Sequence, residues 1–244
     1  MDQYLLSTAL LFHGIRPEMI SLIELSLLIT TLLFFFHYFQ QWGVTAFMML
    51  AVLIGNIQIL TECQFSFGEI PLGTLAFSCA FLSTTLLNEH YGKRLATKAV
   101  FMTFLGQIFF GMMMFITMAY HPTPTSQKTF NAITTLFSTS LRFFSASLLS
   151  YLFAQLFEIY VLNQLKDKLK TRFLFMRFNL AVWASGLLDN TIFSFLAFYL
   201  FTSDPVPLQT LVTQYIFATY WIRMLIGFLE TPTIYLSYYL KSNS

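Results

Sequence analysis

Apolar residues in this sequence form seven long stretches, separated by short polar segments. The stretches cover residues 19–39, 44–61, 72–88, 99–119, 137–161, 178–201 and 210–238. A helix needs about 20 apolar residues to cross the hydrocarbon core of a bilayer, and these stretches reach or approach that length. The pattern therefore predicts an all-α polytopic membrane protein, a bundle of about six to seven transmembrane helices with short loops.

The stretch at 72–88 differs from the others because it is short and follows a loop that contains Gly68, Pro71 and Gly73. A re-entrant or broken helix is an alternative here, and such a backbone is tolerated only where protein or a cavity covers it. The pattern shows no separate soluble segment. We therefore interpret residues 1–244 as a single integral membrane domain.

The composition agrees with this interpretation. Of all residues 57% are hydrophobic and 10% are charged, whereas soluble domains carry about 25% charged residues. The net charge of +2 is too small to indicate a nucleic-acid partner. The four histidines are scattered, and no nucleotide-binding, hydrolase or metalloprotease motif is found. We expect a lipid bilayer as the surroundings, no cofactor, no metal and no enzymatic activity.

Basic residues predict the orientation in the membrane. If the chain crosses seven times, the basic residues at 93–98, at 166–172 and at Lys241 all fall on one side, and the opposite loops hold only Arg16 and Lys128. Because Lys and Arg accumulate on the cytoplasmic side, the C-terminus is predicted to be cytoplasmic and the N-terminus outside. Six crossings, without the first stretch, would leave the downstream orientation unchanged.

Asp189 lies near the middle of the stretch 178–201. A carboxylate at this depth costs roughly 2.5–3.5 kcal/mol on insertion scales, so a partner charge, an ion or a polar ligand is expected near it. Arg223 is a candidate partner across helices. The sequence leaves open whether the two form a structural ion pair or part of a ligand site.

Other polar residues indicate a polar interior. Arg177 and Glu158 lie near the ends of their stretches, so extension of either side chain to the membrane interface is an alternative. Gln155 and Glu158 share a helix face, and Asn56 and Asn179 add amide groups. The ionisable residues within or at the edge of the stretches are Glu24, Arg142, Glu158, Arg177, Asp189, Arg223 and Glu230.

Several short motifs occur in order along the chain. They are Asn56-Ile57-Gln58, Glu89-His90-Tyr91-Gly92-Lys93, Gln155 with Glu158, Asp189-Asn190-Thr191-Ile192-Phe193 and Glu230-Thr231-Pro232. In this order and at these separations, from about Gln41 to Tyr235, the chain resembles the queuosine-precursor transporter family, also grouped as vitamin-uptake-type transporters. It departs from the family pattern at Thr85, where an Asp is usual, and at Thr61, where a Lys is common.

The resemblance implies import of a 7-deazaguanine base for tRNA modification, across the bacterial cytoplasmic (inner) membrane. Queuine and its cyano- and aminomethyl-substituted precursors are the candidate substrates. Two alternatives remain open: a substrate-binding vitamin-uptake subunit that needs a separate energising module, and a transporter of another small nucleobase-like or vitamin substrate. A homo-oligomer is also compatible with the sequence. An intramembrane enzyme is disfavoured because no His lies within a stretch centre.

On this resemblance Asp189 would bind the base edge or the substrate amine, with Glu158 or Glu230 as a second acid. The full predicted substrate site comprises Asp189, Glu158, Glu230, Asn56, Gln155, Asn179, Arg142, Arg223 and Phe193. In it the amides would serve O6 and the ring nitrogens, the two arginines would keep the acids ionised, and Phe193 would stack on the base. Glu89, Tyr91 and Lys93 are predicted to form a gate or structural clasp, with an ordinary surface helix end as the alternative.

Overall fold

The computed structural model describes residues 14–66, 68–169, 173–202 and 204–242. Its helices are α1 (Pro17–Gln58), α2 (Thr74–Tyr91), α3 (Lys93–Met118), α4 (Gln127–Leu169), α5 (Leu174–Phe195), the short α6 (Leu208–Thr210) and α7 (Ala218–Ser242). Two π-helical segments, π1 (Leu196–Leu200) and π2 (Leu211–Phe217), flank the connection between α5 and α7. The prediction of an all-α membrane bundle with short loops is confirmed.

Helix α1 is a hairpin of two antiparallel arms. Gln40 has φ 50° and ψ −132°, which interrupts the helical backbone. Glu24 and Gln58 would lie about 50 Å apart along a straight helix, yet the Gln58 Nε2 donates a hydrogen bond to Glu24 Oε1 at 2.8 Å. The chain therefore reverses at Gln40, and the arms before and after it occupy the first two predicted stretches.

The close approach of the two arms depends on Gly43. A Cβ atom at this position would lie 2.3 Å from the Phe35 carbonyl oxygen, which is closer than any real side chain permits. Beyond the bend, Phe35 and Phe47 face each other with ring centroids 6.4 Å apart. A glycine at the tight end and aromatic rings further along thus allow the arms to pack directly.

A two-stranded hairpin follows α1 and was not predicted. Strands β1 (Glu62–Phe65) and β2 (Gly68–Pro71) pair antiparallel, with Glu62 opposite Pro71. Near it, the Ser66 backbone N–H donates to the Glu18 carboxylate at 2.8 Å. These groups place the start of α1 and the hairpin at one end of the bundle, which we call the hairpin end.

Helix α2 is the centre of the bundle. It runs without interruption from Thr74 to Tyr91, and all residues from Leu75 to Asn88 are buried. The re-entrant or broken helix considered for this stretch is therefore not observed. Helices α1, α3, α4 and α7 pack around α2, so its serines and threonines face other helices.

Four helical segments among the described residues are long and apolar enough to cross a membrane. They are Pro17–Gln58, Lys93–Met118, Arg142–Leu169 and Leu174–Leu200. Helix α3 illustrates their outer surface, since Leu105, Phe109 and Phe115 are each more than 60% exposed. Large apolar side chains exposed along a whole helix face are typical of contact with lipid.

The opposite end of the bundle carries the basic residues. Lys166 Nζ lies 3.4 Å from the Glu89 carboxylate, and Lys241 donates to the His90 carbonyl oxygen at 2.9 Å. Lys93 begins α3 directly after this region and is exposed. We call this the basic end. The basic residues at 93–98, at 166–172 and at Lys241 were predicted on one side of the membrane, and their described members lie at one end of the fold.

Candidate functional site

A cavity of about 760 Å³ lies between α2, α4, α5, π1, π2 and α7. Glu62 and Pro71 of the β-hairpin line it, as do Phe81 on α2 and Tyr151 on α4, which lie two or more helical turns from the hairpin end. The cavity therefore extends from the hairpin end toward the middle of the bundle.

Asp189 and Arg223 both line the cavity and are joined by an ion pair. The Arg223 guanidinium lies 2.6 Å from Asp189 Oδ2, and both side chains are mostly buried. Asp189 Oδ1 has no hydrogen-bond partner within the described part of the chain. The contact across helices that the sequence suggested is thus present, and open space remains beside it.

Aromatic rings form one wall of the cavity. Phe143 on α4 and Phe193 on α5 stack with centroids 6.3 Å apart. Phe198 in π1 lies 5.6 Å from Phe143 and 4.3 Å from Tyr215 in π2. Of these four rings the sequence predicted only Phe193. Phe198 and Tyr215 lie on π-helical turns, for which the apolar pattern carries no signal.

Arg142 supports this wall from behind. Its guanidinium lies 4.7 Å from the Phe143 ring centroid and donates to the Thr202 hydroxyl at 3.1 Å. It is not among the cavity-lining residues and forms no ion pair with a described carboxylate. The structure therefore places Arg142 away from the acids that it was expected to keep ionised.

The remaining predicted site residues lie outside the cavity lining, between the helices. They are Asn56, Gln155, Glu158, Asn179 and Glu230, and all are buried. Their contacts are mostly with small polar side chains of neighbouring helices rather than with one another. The structure thus brings together Asp189, Arg223 and Phe193 at the cavity and distributes the rest through the interior.

Two of these residues are fully buried carboxyl groups. Glu158 accepts a hydrogen bond from the Thr85 hydroxyl at 2.5 Å, and Glu230 accepts from Ser78 at 3.0 Å and from the Cys79 thiol at 3.5 Å. Extension of Glu158 to the membrane interface is excluded, since its side chain is not exposed at all. Thr85, noted as a departure from the family pattern, is the direct partner of this acid.

The buried amides also have neutral partners. Asn56 Nδ2 donates to Gln107 Oε1 at 3.2 Å, and Asn179 Nδ2 donates to the Thr231 hydroxyl at 2.9 Å. Gln155 has no hydrogen-bond partner among the described residues for either its amide nitrogen or its oxygen. Sequence reasoning missed Gln107, although a glutamine inside the apolar stretch 99–119 was a usable signal.

Glu89 joins four helices at the basic end. Its carboxylate contacts Arg177 at 3.1 Å and Lys166 at 3.4 Å, and it accepts a hydrogen bond from the Tyr238 hydroxyl at 2.5 Å. We call Glu89, Lys166, Arg177 and Tyr238 the Glu89 clasp. Arg177 is only 4% exposed, so it does not extend to the membrane interface as the sequence allowed.

The charge state of the clasp follows from these contacts. Burial alone would raise the pKa of Glu89, but the Tyr238 hydrogen bond and the Lys166 and Arg177 charges hold that pKa below its ordinary value. Burial and the Lys241 charge lower the pKa of the adjacent His90 to about 4. Near neutral pH, Glu89 is therefore ionised and His90 is neutral.

The other two predicted gate residues differ from Glu89. The Tyr91 ring lies 4.4 Å from the Lys241 ammonium nitrogen, and it also faces Phe36 of α1. Lys93 is exposed. Within the predicted gate, Glu89 and Tyr91 thus connect helices, whereas Lys93 points to solvent.

Comparison with known proteins decides the class of this chain. A family described as "Putative vitamin uptake transporter" matches residues 71–237. The chain belongs to this family. The transporter is also 26% identical over 204 residues to a protein of Bacillus subtilis (strain 168) named "Probable queuosine precursor transporter", a match that covers 83% of this chain and 86% of the relative. No solved structure matches the chain.

Membership agrees with the rest of the structure. The family and the Bacillus relative are transporters rather than enzymes, and the apolar helices make the chain a multi-pass integral membrane protein. The cavity residues that sequence reasoning did not select include Phe81, Phe143, Tyr151, Asn190, Phe198 and Tyr215. Of these residues Asn190 was the easiest to predict from the sequence, because it lies directly after Asp189 in a motif that had already been noted.

Proposed function

We propose that this transporter imports a queuosine precursor, queuine or another 7-deazaguanine base, for tRNA modification. The observation that carries the proposal is a carboxylate held by an arginine at an aromatic-lined cavity. A guanine-like edge presents two neighbouring N–H donors, and Asp189 provides acceptors for them. Charge-assisted hydrogen bonds of this kind are strong where water is excluded.

Arg223 holds the Asp189 carboxylate at the cavity. Its contact with Asp189 Oδ2 fixes the position of the carboxylate, and Oδ1 has no protein partner among the described residues. The guanidinium also lies 5.7 Å from the Phe81 ring centroid, which restricts its movement. The Asp189–Arg223 pair thus offers a fixed carboxylate acceptor to the base. The guanidinium donors of Arg223 are close enough to bind a neighbouring carbonyl of the base, such as O6.

The aromatic wall suits a flat ligand. Phe193 and Phe143 stack, and Phe198 and Tyr215 extend the surface toward the hairpin end. Ligand cavities are commonly about 300–1,000 Å³ in volume, so the 760 Å³ observed accommodates a bicyclic base with its substituent. Glu62 also lines the cavity, and we assign it to the cationic amine of queuine or of the aminomethyl base.

The direction of import follows from the orientation predicted by the positive-inside rule. We place the basic end and the C-terminus in the cytoplasm of a bacterial cell, so the cavity opens to the outside of the cytoplasmic membrane. The Glu89 clasp then closes the inner side. In this arrangement the structure corresponds to an outward-facing state, and opening of the clasp would release the substrate inward.

Restoration of queuosine in tRNA tests the proposal. The chain is expressed in a bacterial host that lacks its own importer and cannot synthesise the base, and queuosine is measured after precursor is supplied. We expect restoration by the unchanged protein and at least a tenfold loss with Asp189→Asn, since an amide cannot accept both N–H groups. Asp167→Asn, an exposed acid on α4, is the matched control and should restore fully.

Two outcomes would contradict the proposal. Restoration by Asp189→Asn at undiminished apparent affinity would remove the carboxylate from the site. Failure of the unchanged chain to transport any 7-deazaguanine base, alone in liposomes or in cells, would reject the substrate. Transport in cells but not by the purified chain would instead favour a binding subunit with a separate energising module.

A further inference from the structure

Glu158 is a buried acid without a cation. Its Oε1 accepts a hydrogen bond from the Thr85 hydroxyl, while Oε2 has no hydrogen-bond partner among the described residues. Within the described part of the chain, no basic side chain lies within 4.0 Å of it. An ionised carboxylate in such surroundings is very costly, so the neutral acid is the stable form in this conformation.

The ionisable groups that surround Glu158 do not change this conclusion. Tyr151 on its own helix and the acid Glu230 on α7 interact with it electrostatically, and neither supplies positive charge. On α5, Arg177 is bound to Glu89 and Asp189 to Arg223. From α2, the hydroxyl group of Thr85 donates to Glu158 and is neutral.

A row of polar groups connects Glu158 with the cavity. Tyr151, Gln155 and Glu158 follow one another at i, i+4 and i+7 on a single face of α4, and Tyr151 lines the cavity. Both polar atoms of Gln155 and Glu158 Oε2 are buried without partners among the described residues. Buried polar atoms of this kind are normally satisfied by water or by a ligand.

Groups on α1 and α3 extend the same region. Thr103 lies beside the Tyr151 hydroxyl, and Gln107, one turn further along α3, is bonded to Asn56. Gln107 Nε2 and Asn56 Oδ1 also lack hydrogen-bond partners in the described part of the chain. A polar route thus leads from the cavity, past Tyr151 and Gln155, to an acid at its inner end.

We propose that Glu158 is the proton-binding site of this transporter and that import is coupled to proton entry. The carboxylate takes a proton that arrives from the cavity along the Tyr151–Gln155 row and becomes a neutral acid, which allows the helices to close around it. When the Glu89 clasp opens, water from the basic end reaches Glu158 and the proton leaves into the cytoplasm. One proton therefore moves inward with each substrate.

This inference rests on the proposed function for its substrate but concerns a different group. Asp189 lines the cavity in an ion pair, whereas Glu158 is outside the lining and unpaired. Replacing Glu158 by Gln imitates the neutral acid at almost unchanged volume. The loaded transporter should still change conformation, but the step that requires loss of the proton is removed.

Purified protein in liposomes tests the inference with radiolabelled queuine or aminomethyl precursor. An inward gradient of one pH unit should drive accumulation of up to about tenfold with one proton per substrate, and a proton ionophore should abolish it. Addition of substrate should also acidify liposomes that contain a pH-sensitive dye. Glu158→Gln should lose at least tenfold of gradient-driven accumulation, keep exchange of internal for external substrate, and cause no acidification. Asp167→Asn should behave like the unchanged protein.

The outcomes separate this inference from the proposed function. Uptake that is indifferent to the pH gradient, or accumulation by Glu158→Gln at the unchanged rate, would overturn proton coupling while the substrate assignment stands. Absence of both uptake and exchange in the unchanged protein would reject the substrate instead. If Glu158→Gln does not fold, the gradient and dye measurements on the unchanged protein still decide whether a proton enters with the substrate.

Discussion

At the scale of single residues, the membrane interior makes every polar side chain informative. Asp189 in the apolar stretch 178–201 required a partner, and Arg223 supplies it at 2.6 Å. The same reasoning did not tell which polar residues share one cavity. Glu158 and Asn56 have the same sequence signal as Asp189, yet each forms its hydrogen bond with a different helix. Periodicity identifies an inward face but not the neighbour that the face meets.

Gly43 gives a prediction at this scale. Gly43→Ala would place a Cβ 2.3 Å from the Phe35 carbonyl oxygen, so the arms of α1 must separate, at a cost of about 1–3 kcal/mol. We expect a lower midpoint of thermal unfolding for the purified protein in detergent. Gly14→Ala is the control, because nothing lies within 4 Å of its Cβ position. Equal stability of the two variants would show that the hairpin of α1 is not packed as described.

At the scale of elements, the number and position of the long helices followed from the length of the apolar stretches. The reversal at Gln40 also fell between two predicted stretches. The β-hairpin at Glu62–Pro71 and the segments π1 and π2 were not predicted. A π-helical turn has no distinct apolar period, and a four-residue strand is too short to show alternation. These are the elements that form the cavity on its hairpin side.

The Glu89 clasp gives the prediction for this scale. Glu89→Gln leaves the buried Arg177 without its anion, and breaking a buried pair costs about 3–5 kcal/mol. Tyr238→Phe removes one hydrogen bond to the same carboxylate, worth about 0.5–1.5 kcal/mol. Thermal unfolding in detergent should therefore rank Glu89→Gln as clearly less stable than Tyr238→Phe. The exposed Lys93→Gln should match the unchanged protein, and a reversed ranking would contradict the clasp.

The pH dependence of the clasp has a defined sign. Because the pKa of Glu89 is lower in the folded state than in the unfolded chain, its contribution to stability is present above the unfolded value and is lost as pH falls through the folded value. The clasp carboxylate therefore stays ionised to a lower pH than an ordinary glutamate does. A change in transport near neutral pH would have to come from another group.

At the scale of the whole molecule, the cavity leads to the hairpin end and the basic end is closed. The sequence predicted the sidedness of the basic residues but not this asymmetry, because an apolar pattern describes the extent of a helix and not its tilt. Closure at one end depends on where long side chains such as Arg177 and Lys166 meet. That information arises only once the helices are packed.

Cys63 is a native cysteine through which the orientation in the membrane can be measured. It lies in β1 with a partly exposed side chain, whereas Cys79 is buried. A membrane-impermeant thiol reagent applied to intact cells should modify the protein, and Cys63→Ser should prevent this. In the Cys63→Ser background, Lys93→Cys should react only after the cells are permeabilised. The opposite pattern would invert the proposed topology and the direction of import.

The reversal of α1 at Gln40 limits how this transporter can move. Its two arms are joined without a linker, touch at Gly43 and are tied at their far ends by Glu24 and Gln58. The two arms cannot move relative to each other, so we expect α1 to move as one rigid body. Alternating access requires some part of the bundle to bend. We expect this flexibility at the other side of the cavity, in π1 and π2, whose irregular turns could act as hinges.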